Sequence, residues 1–189
     1  MSKTTLNLGS FGLADGNADK ILFFDDSAGG IGQLAASTNL TISGTNVTAS
    51  GGKILQVIGA SVNTETSSSS TSYADTNLTA AITPASSSNK VLVLVNQNSL
   101  GKNSSDNAGK IQLLRGSTAL NMFENDFGRD GSSGLNIVGG TGYGFLDSPS
   151  TTSETTYKTQ FACSVTAASS IFVQHNSTHS SMILMEIQG

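Results

Sequence analysis

The stretch Ser86–Leu100, SSSNKVLVLVNQNSL, decides the fold. A serine-rich turn is followed by an unbroken apolar run, Val91–Val95. In a strand, alternate side chains point to opposite faces, so Val91, Val93 and Val95 share one face while Leu92 and Leu94 share the other. A strand that is apolar on both faces is central in its sheet or sandwiched between layers.

Working outward, the same period of two recurs. KILQVIGASV (53–62) puts Ile54, Gln56, Ile58 and Ala60 on one face and Leu55, Val57 and Gly59 on the other. TETSSSSTSYADTNLTAAITP (64–84) reads as a serine-rich turn and then a strand. NAGKIQLLRGSTALN (107–121) reads as two strands joined at Arg115-Gly116-Ser117. TTYKTQFACSV (155–165) alternates, and SSIFVQHN (169–176) and SSMILMEIQ (180–188) close the chain as strands. In the last, Ile183 and Met185 are offset from Met182, Leu184 and Glu186. Strands at intervals of roughly 10–20 residues, with no sustained 3.6-residue period, predict an all-β, antiparallel sandwich of jelly-roll type over residues 53–189.

Composition agrees. Thirty serines and 21 threonines make up more than a quarter of the 189 residues, and only 12% are charged, against about 25% in ordinary domains. The net charge is −4 and nine Lys and Arg are scattered, so no basic stripe is available to neutralise phosphates, and nucleic acid is not an expected partner. No apolar run approaches 18 residues, so membrane insertion is not expected. Met1–Gly12 lacks the pattern of a secretory signal. Cys163 is the sole cysteine, which excludes an intrachain disulfide framework and a cysteine-rich zinc site.

Residues 1–52 form a separate N-terminal arm, with Gly51-Gly52 as the hinge. KILFF, IGQLAAS and the pair around the GTN turn (residues 40–49) predict short strands and a hairpin. Most of this arm's large apolar residues lie in ILFF, too few to bury a core. Phe23, Phe24, Asp25 and Asp26 are therefore expected at an assembly interface. The adjacent aspartates would face opposite ways in a strand, so they do not form a carboxylate pair, and calcium would want more oxygen ligands than follow them.

Candidate chemistry is sparse. ENDFGRDG (124–131) is the densest charge cluster, in a region expected to be loop, and is followed by the glycine-rich SSGLNIVGGTGYGF. Glu124, Asp126, Arg129, Asp130 and Tyr143 are candidates for a ligand-facing loop. The alternative is an exposed loop in which Arg129 simply pairs with a neighbouring carboxylate, an interaction worth little at a surface. His175 and His179 flank a turn without the acidic residue of a zinc hydrolase. No G-x-S-x-G is present, and GGTGYG lacks the helix and downstream carboxylate of a dinucleotide site. Asn39, Asn46 and Asn77 are read as turn or edge residues, not glycan sites. No catalytic set, metal or cofactor is expected.

Five segments together resemble a family of bacteriophage virion proteins, the fibre-like proteins of marine phages. They are residues 19–50, DKILFFDDSAGGIGQLAASTNLTISGTNVTAS; residues 51–98, from GGKILQVIGASV to VNQN; IQLLRGSTAL (111–120); FLDSPSTTSETTYKTQF (145–161); and MEI (185–187). The order of the segments carries the resemblance more than any one of them. It implies a non-enzymatic homotrimer on the virion, at the tail or capsid surface, with tail, portal-adaptor or capsid proteins as partners and a host-surface glycan or protein as ligand. A short tail fibre is the first expectation. A capsid decoration or head-fibre protein and a polysaccharide-degrading tail spike are the alternatives.

Overall fold

A computed structural model describes the backbone of four short strands between residues 20 and 49, and residues 53–189 apart from 104–105, 132–133 and 166–169. The chain divides into two compact units, residues 1–51 and 52–189.

The first unit contains two antiparallel pairs. Strand β1 (Lys20–Asp25) pairs with β2 (Gly30–Ala35), with Phe23 opposite Gly32 and Phe24 opposite Ile31. Strand β3 (Leu40–Ser43) pairs with β4 (Asn46–Ala49), so Asn46 begins the return strand instead of belonging to the turn. Asp26 lies outside the described residues.

The second unit is a double-sheet sandwich. Its strands are β5 (Ile54–Val62), β6 (Thr66–Ser68), β7 (Ala74–Ile82), β8 (Lys90–Lys102), β9 (Gly109–Arg115), β10 (Thr118–Phe127), β11 (Asn136–Asp147), β12 (Thr155–Cys163), β13 (Ile171–Val173) and β14 (Ser180–Ile187). One sheet runs β5-β14-β8-β11, with β13 and β6 continuing it beyond β14 along the far half of β8. The other runs β7-β12-β9-β10. Setting aside the short β6 and β13, eight strands divide between the two sheets in the order of a jelly roll, crossing from sheet to sheet except at the β9–β10 hairpin, with the first and last strands side by side. All pairings are antiparallel.

Strand β8 is central, as its two-sided apolar run predicts. Val91, Val93 and Val95 point into the sandwich, where they meet Leu78, Ile82, Leu113, Tyr157, Met182 and Leu184. A second cluster, Leu100, Ile111, Phe127, Phe161, Cys163, Ile171 and Val173, fills the other end. Phe172 faces the other way and lies against Gly101, where any Cβ would strike its ring. The β9–β10 hairpin turns on two residues, and Gly116 takes φ +58° at the first of them, the position where a type II′ turn calls for glycine.

Two sequence expectations need correction. The region 122–145 is not one loop: residues 122–127 belong to β10 and 136–145 to β11. Glycines weaken a strand's propensity, but Gly142 and Gly144 alternate with the inward-facing Tyr143 and Phe145, so packing on one face holds the strand. Ile54 does not share a face with Gln56, Ile58 and Ala60. A bulge opposite Glu186/Ile187 breaks the period, and Ile54 is exposed.

Candidate functional site

The charged cluster singled out in the sequence is spread over β10 and the turn that follows it. Strand β10 is an edge strand with three register shifts, a device that twists and blunts an open edge. Asp126 sits at the last shift with φ 63°. Arg129 approaches it at 3.5 Å, both side chains well exposed, which is the surface pairing considered as the plain alternative. Asp130 does something different. Its carboxylate is the counter-ion of Lys102, whose side chain is fully buried, and its carbonyl accepts a further hydrogen bond from Lys102 Nζ at 2.9 Å. Asn136 Nδ2 donates to the same carboxylate at 2.5 Å. Glu124 accepts from the Asn125 amide at 3.2 Å. Tyr143 is turned inward on β11 and stacks between Phe123 and Phe145, with ring centroids 5.1 and 6.3 Å away. The structure thus joins Asp126 to Arg129 and Asp130 to Lys102, while Tyr143 belongs to the aromatic closure between edge strands β10 and β11.

Three buried polar arrangements escaped the sequence reading. At one end of the sandwich, Asp147 on β11 accepts from Arg115 on β9 and from the Tyr157 hydroxyl on β12 at 2.6 Å. Burial, and then the hydrogen bond to Asp147 and its charge, push the Tyr157 hydroxyl far above the usual tyrosine range. Nearby, Glu186 is wholly buried. It accepts from Gln56 Nε2 at 2.6 Å, Asn89 Nδ2 at 2.5 Å and the Ala85 amide at 2.7 Å. Burial alone would raise its pKa. The donors from Asn89, Gln56 and the Ala85 and Ser86 backbone outweigh that and hold it below the ordinary carboxylate value.

The third is a polar layer between the two apolar clusters. The Thr76 and Thr159 hydroxyls are 2.6 Å apart, Thr159 Oγ1 donates to Gln97 Oε1 at 3.0 Å, and Gln97 Nε2 donates to Ser180 Oγ at 3.1 Å. This chain runs from β7 and β12 across to β8 and β14, tying the sheets in one register. The periodic signal hides it, because Thr, Gln and Ser occupy inward positions that a hydrophobic pattern treats as gaps.

At the surface, His175 Nδ1 lies 2.7 Å from Glu65 Oε2. Cys163 is buried and its thiol is shifted upward chiefly by burial, the setting of an unreactive cysteine. Among the described residues no group of three His, Cys, Asp or Glu side chains is placed to hold a metal ion, and no helix is long and apolar enough to cross a membrane.

No protein-family model and no curated protein matches the chain. Among solved structures it is similar to the VP2 subviral particle of infectious bursal disease virus, at 13% identity, with a TM-score of 0.45, over 85% of this chain and 39% of that one. A mutant VP2 of the same virus, in derived T=1 particles, is similar at 10% identity, with a TM-score of 0.38, over 83% of this chain and 42% of that one. The chain therefore spans about two fifths of the length of these viral proteins.

Proposed function

We propose that the chain is a non-enzymatic virion structural protein, a short tail-fibre or fibre-like subunit that assembles as a homotrimer and contributes to host attachment. Residues 1–52 act as the anchoring segment and 53–189 as the projecting module. The observation that carries this reading is the eight-strand jelly roll, an architecture recurrent in viral coat and glycan-binding domains. The resemblance of residues 19–187 to phage fibre-like proteins supports it further. A fold by itself hosts many functions, so position on the particle is the quantity to measure.

A labelled copy imaged on intact particles provides the test. Density at the tail is expected. Density spread over the capsid lattice would replace the fibre with a decoration or head-fibre protein, and absence from particles would overturn the virion assignment. For host attachment, Glu124, Asp126 and Arg129 are replaced by Ala and particle adsorption is measured. Asp130 is left intact, because it neutralises buried Lys102. Unchanged adsorption would remove the cluster from the receptor site.

A further inference from the structure

An amine, a carboxylate and an amide meet at one end of the sandwich. Lys102 ends β8, Asn136 begins β11, and the two stand directly opposite one another in the antiparallel pairing. Opposite residues share a face of the sheet, with Cβ atoms about 5 Å apart. Leu100, two residues before Lys102, lies in the core, so this is the inner face. The Lys102 side chain is fully buried. Gly128 presses on its stem so closely that an added Cβ would come within 3.3 Å of Cγ.

Asp130 joins the other two groups. One of its carboxylate oxygens is the counter-ion of Lys102 Nζ, and the other accepts from Asn136 Nδ2 at 2.5 Å. The Asp130 carbonyl accepts from Lys102 Nζ as well, at 2.9 Å. A single carboxylate thus touches an amine on one strand and an amide nitrogen on the next. Asp130 is 41% exposed, so the site reaches solvent through it. The same three groups meet on the outer face of the other sheet, where Lys158 Nζ and Gln160 Nε2 reach Asp75 at 3.0 and 2.7 Å. There the amine and amide lie on one strand, β12, and Lys158 is 27% exposed. That lysine keeps its hydration and rotamer freedom. Lys102 is held by packing against one set of partners, and such positioning makes an otherwise slow reaction between amine and amide fast.

We infer that the folded chain joins Lys102 to Asn136 through an isopeptide bond. Asp130 takes a proton from Nζ across their contact, as a general base must. The freed lone pair attacks Asn136 Cγ, and the Nζ–Cγ bond forms. The Cγ–Nδ2 bond breaks. Two protons leave Nζ in all, and Asp130 passes both to Nδ2, which departs as ammonium. An alkylammonium and a primary amide become a secondary amide and ammonium. Nothing is oxidised or reduced, and Asp130 ends as the carboxylate it was. The step happens once per chain, so it is a self-modification and not turnover. The bond staples β8 to β11 and closes β9 and β10 into a covalent loop, which restricts the unfolded chain as a disulfide does. The inference stands apart from the virion reading.

The test is the intact mass of the purified full-length chain, with a tryptic digest to locate any link. The wild type is expected to be lighter than its sequence by one ammonia. Its digest should contain one branched peptide joining Lys102 to Asn136. On a reducing, denaturing gel the looped chain should run ahead of Asn136→Ala. Asn136→Ala removes the acyl group and Asp130→Ala the proton carrier, and both are expected at full sequence mass. Lys158→Ala, in the surface trio, should keep the wild-type loss. Lys102→Ala should also restore the full mass. If it or Asp130→Ala fails to fold, Asn136→Ala decides, because that side chain is only half-buried. A wild type at full sequence mass, cut by trypsin after Lys102, would overturn the inference. So would loss of one water with Lys102 joined to Asp130, or a loss that persists in Asn136→Ala. A Lys102–Asn136 link that survives in Asp130→Ala would overturn the carboxylate's role as proton carrier.

Discussion

Nη1 of Arg115 lies 2.9 and 2.8 Å from the two carboxylate oxygens of Asp147. Arg115 ends β9 in one sheet and Asp147 ends β11 in the other, so this ion pair bridges the sandwich. Asp147 also accepts from the fully buried Tyr157 hydroxyl. Replacing Asp147 with Ala leaves that hydroxyl unpaired and the guanidinium uncompensated, and is expected to lower stability by about 3 kcal/mol. Tyr157→Phe, which removes one hydrogen bond and keeps the ring, should cost about 1 kcal/mol. Urea midpoints measure both. Equal losses from the two variants would show that the carboxylate does no more than serve the tyrosine.

Glu186 contributes to the loss of stability in acid. Its folded-state pKa lies below its ordinary value of 4.5. The unfolded chain therefore takes up the proton first as pH falls. The carboxylate's stabilisation is present above about pH 4.5 and disappears as pH drops through the folded value. Glu186→Gln sets an amide against donors from Asn89, Gln56 and Ala85, and should cost about 2 kcal/mol at neutral pH. The gap between wild type and variant should close in acid. A gap that stays constant down to pH 3, followed by equilibrium denaturation, would exclude this role.

Asp130 and Arg129 are one residue apart and should behave differently. Asp130→Ala strips the counter-ion from a buried lysine and is expected to cost about 2 kcal/mol, the loss being moderated because Asp130 is 41% exposed. Arg129→Ala breaks only an exposed contact to Asp126 and should stay within about 0.5 kcal/mol. Thermal melts of the two single variants check this, and similar losses would contradict the assignment of Lys102 as Asp130's partner.

In the N-terminal unit, Phe23→Ser combined with Phe24→Ser is expected to reduce incorporation into particles. In the proposed trimer, each Phe buried at an anchoring contact would contribute about 1.5–3 kcal/mol, multiplied over the chains. Occupancy is read by quantitative blotting of purified particles. Wild-type occupancy in the double variant would remove the anchoring role from β1.

The sequence by itself determined the sandwich and most of its strands, but not β11, read as loop, or β6, read as part of a serine-rich turn. Side chains alternate with period two along any strand, so Val91–Val95 announced a central strand, and the offset of Met182, Leu184 and Glu186 from Ile183 and Met185 announced the two faces of β14 before any pairing was known. The β9–β10 turn was legible because glycine at position 116 answers a local backbone requirement. The N-terminal strands were legible for the same local reasons.

Only the tertiary structure decided which strands are neighbours, because pairing in a jelly roll joins residues far apart in the chain: β5 meets β14, and β7 meets β12. The same distance hid the polar partners. Asp130 looked like one more residue of a surface cluster until the fold placed Lys102 beneath it. Glu186 looked like an ordinary strand residue until Gln56, Ala85 and Asn89 converged on it. The apolar patch on the outer face of the β5-β14-β8-β11 sheet was half visible in Leu92 and Leu94. Its extent across Val57, Ile183, Met185 and Leu146 depended on cross-strand register, which only long-range hydrogen bonding fixes.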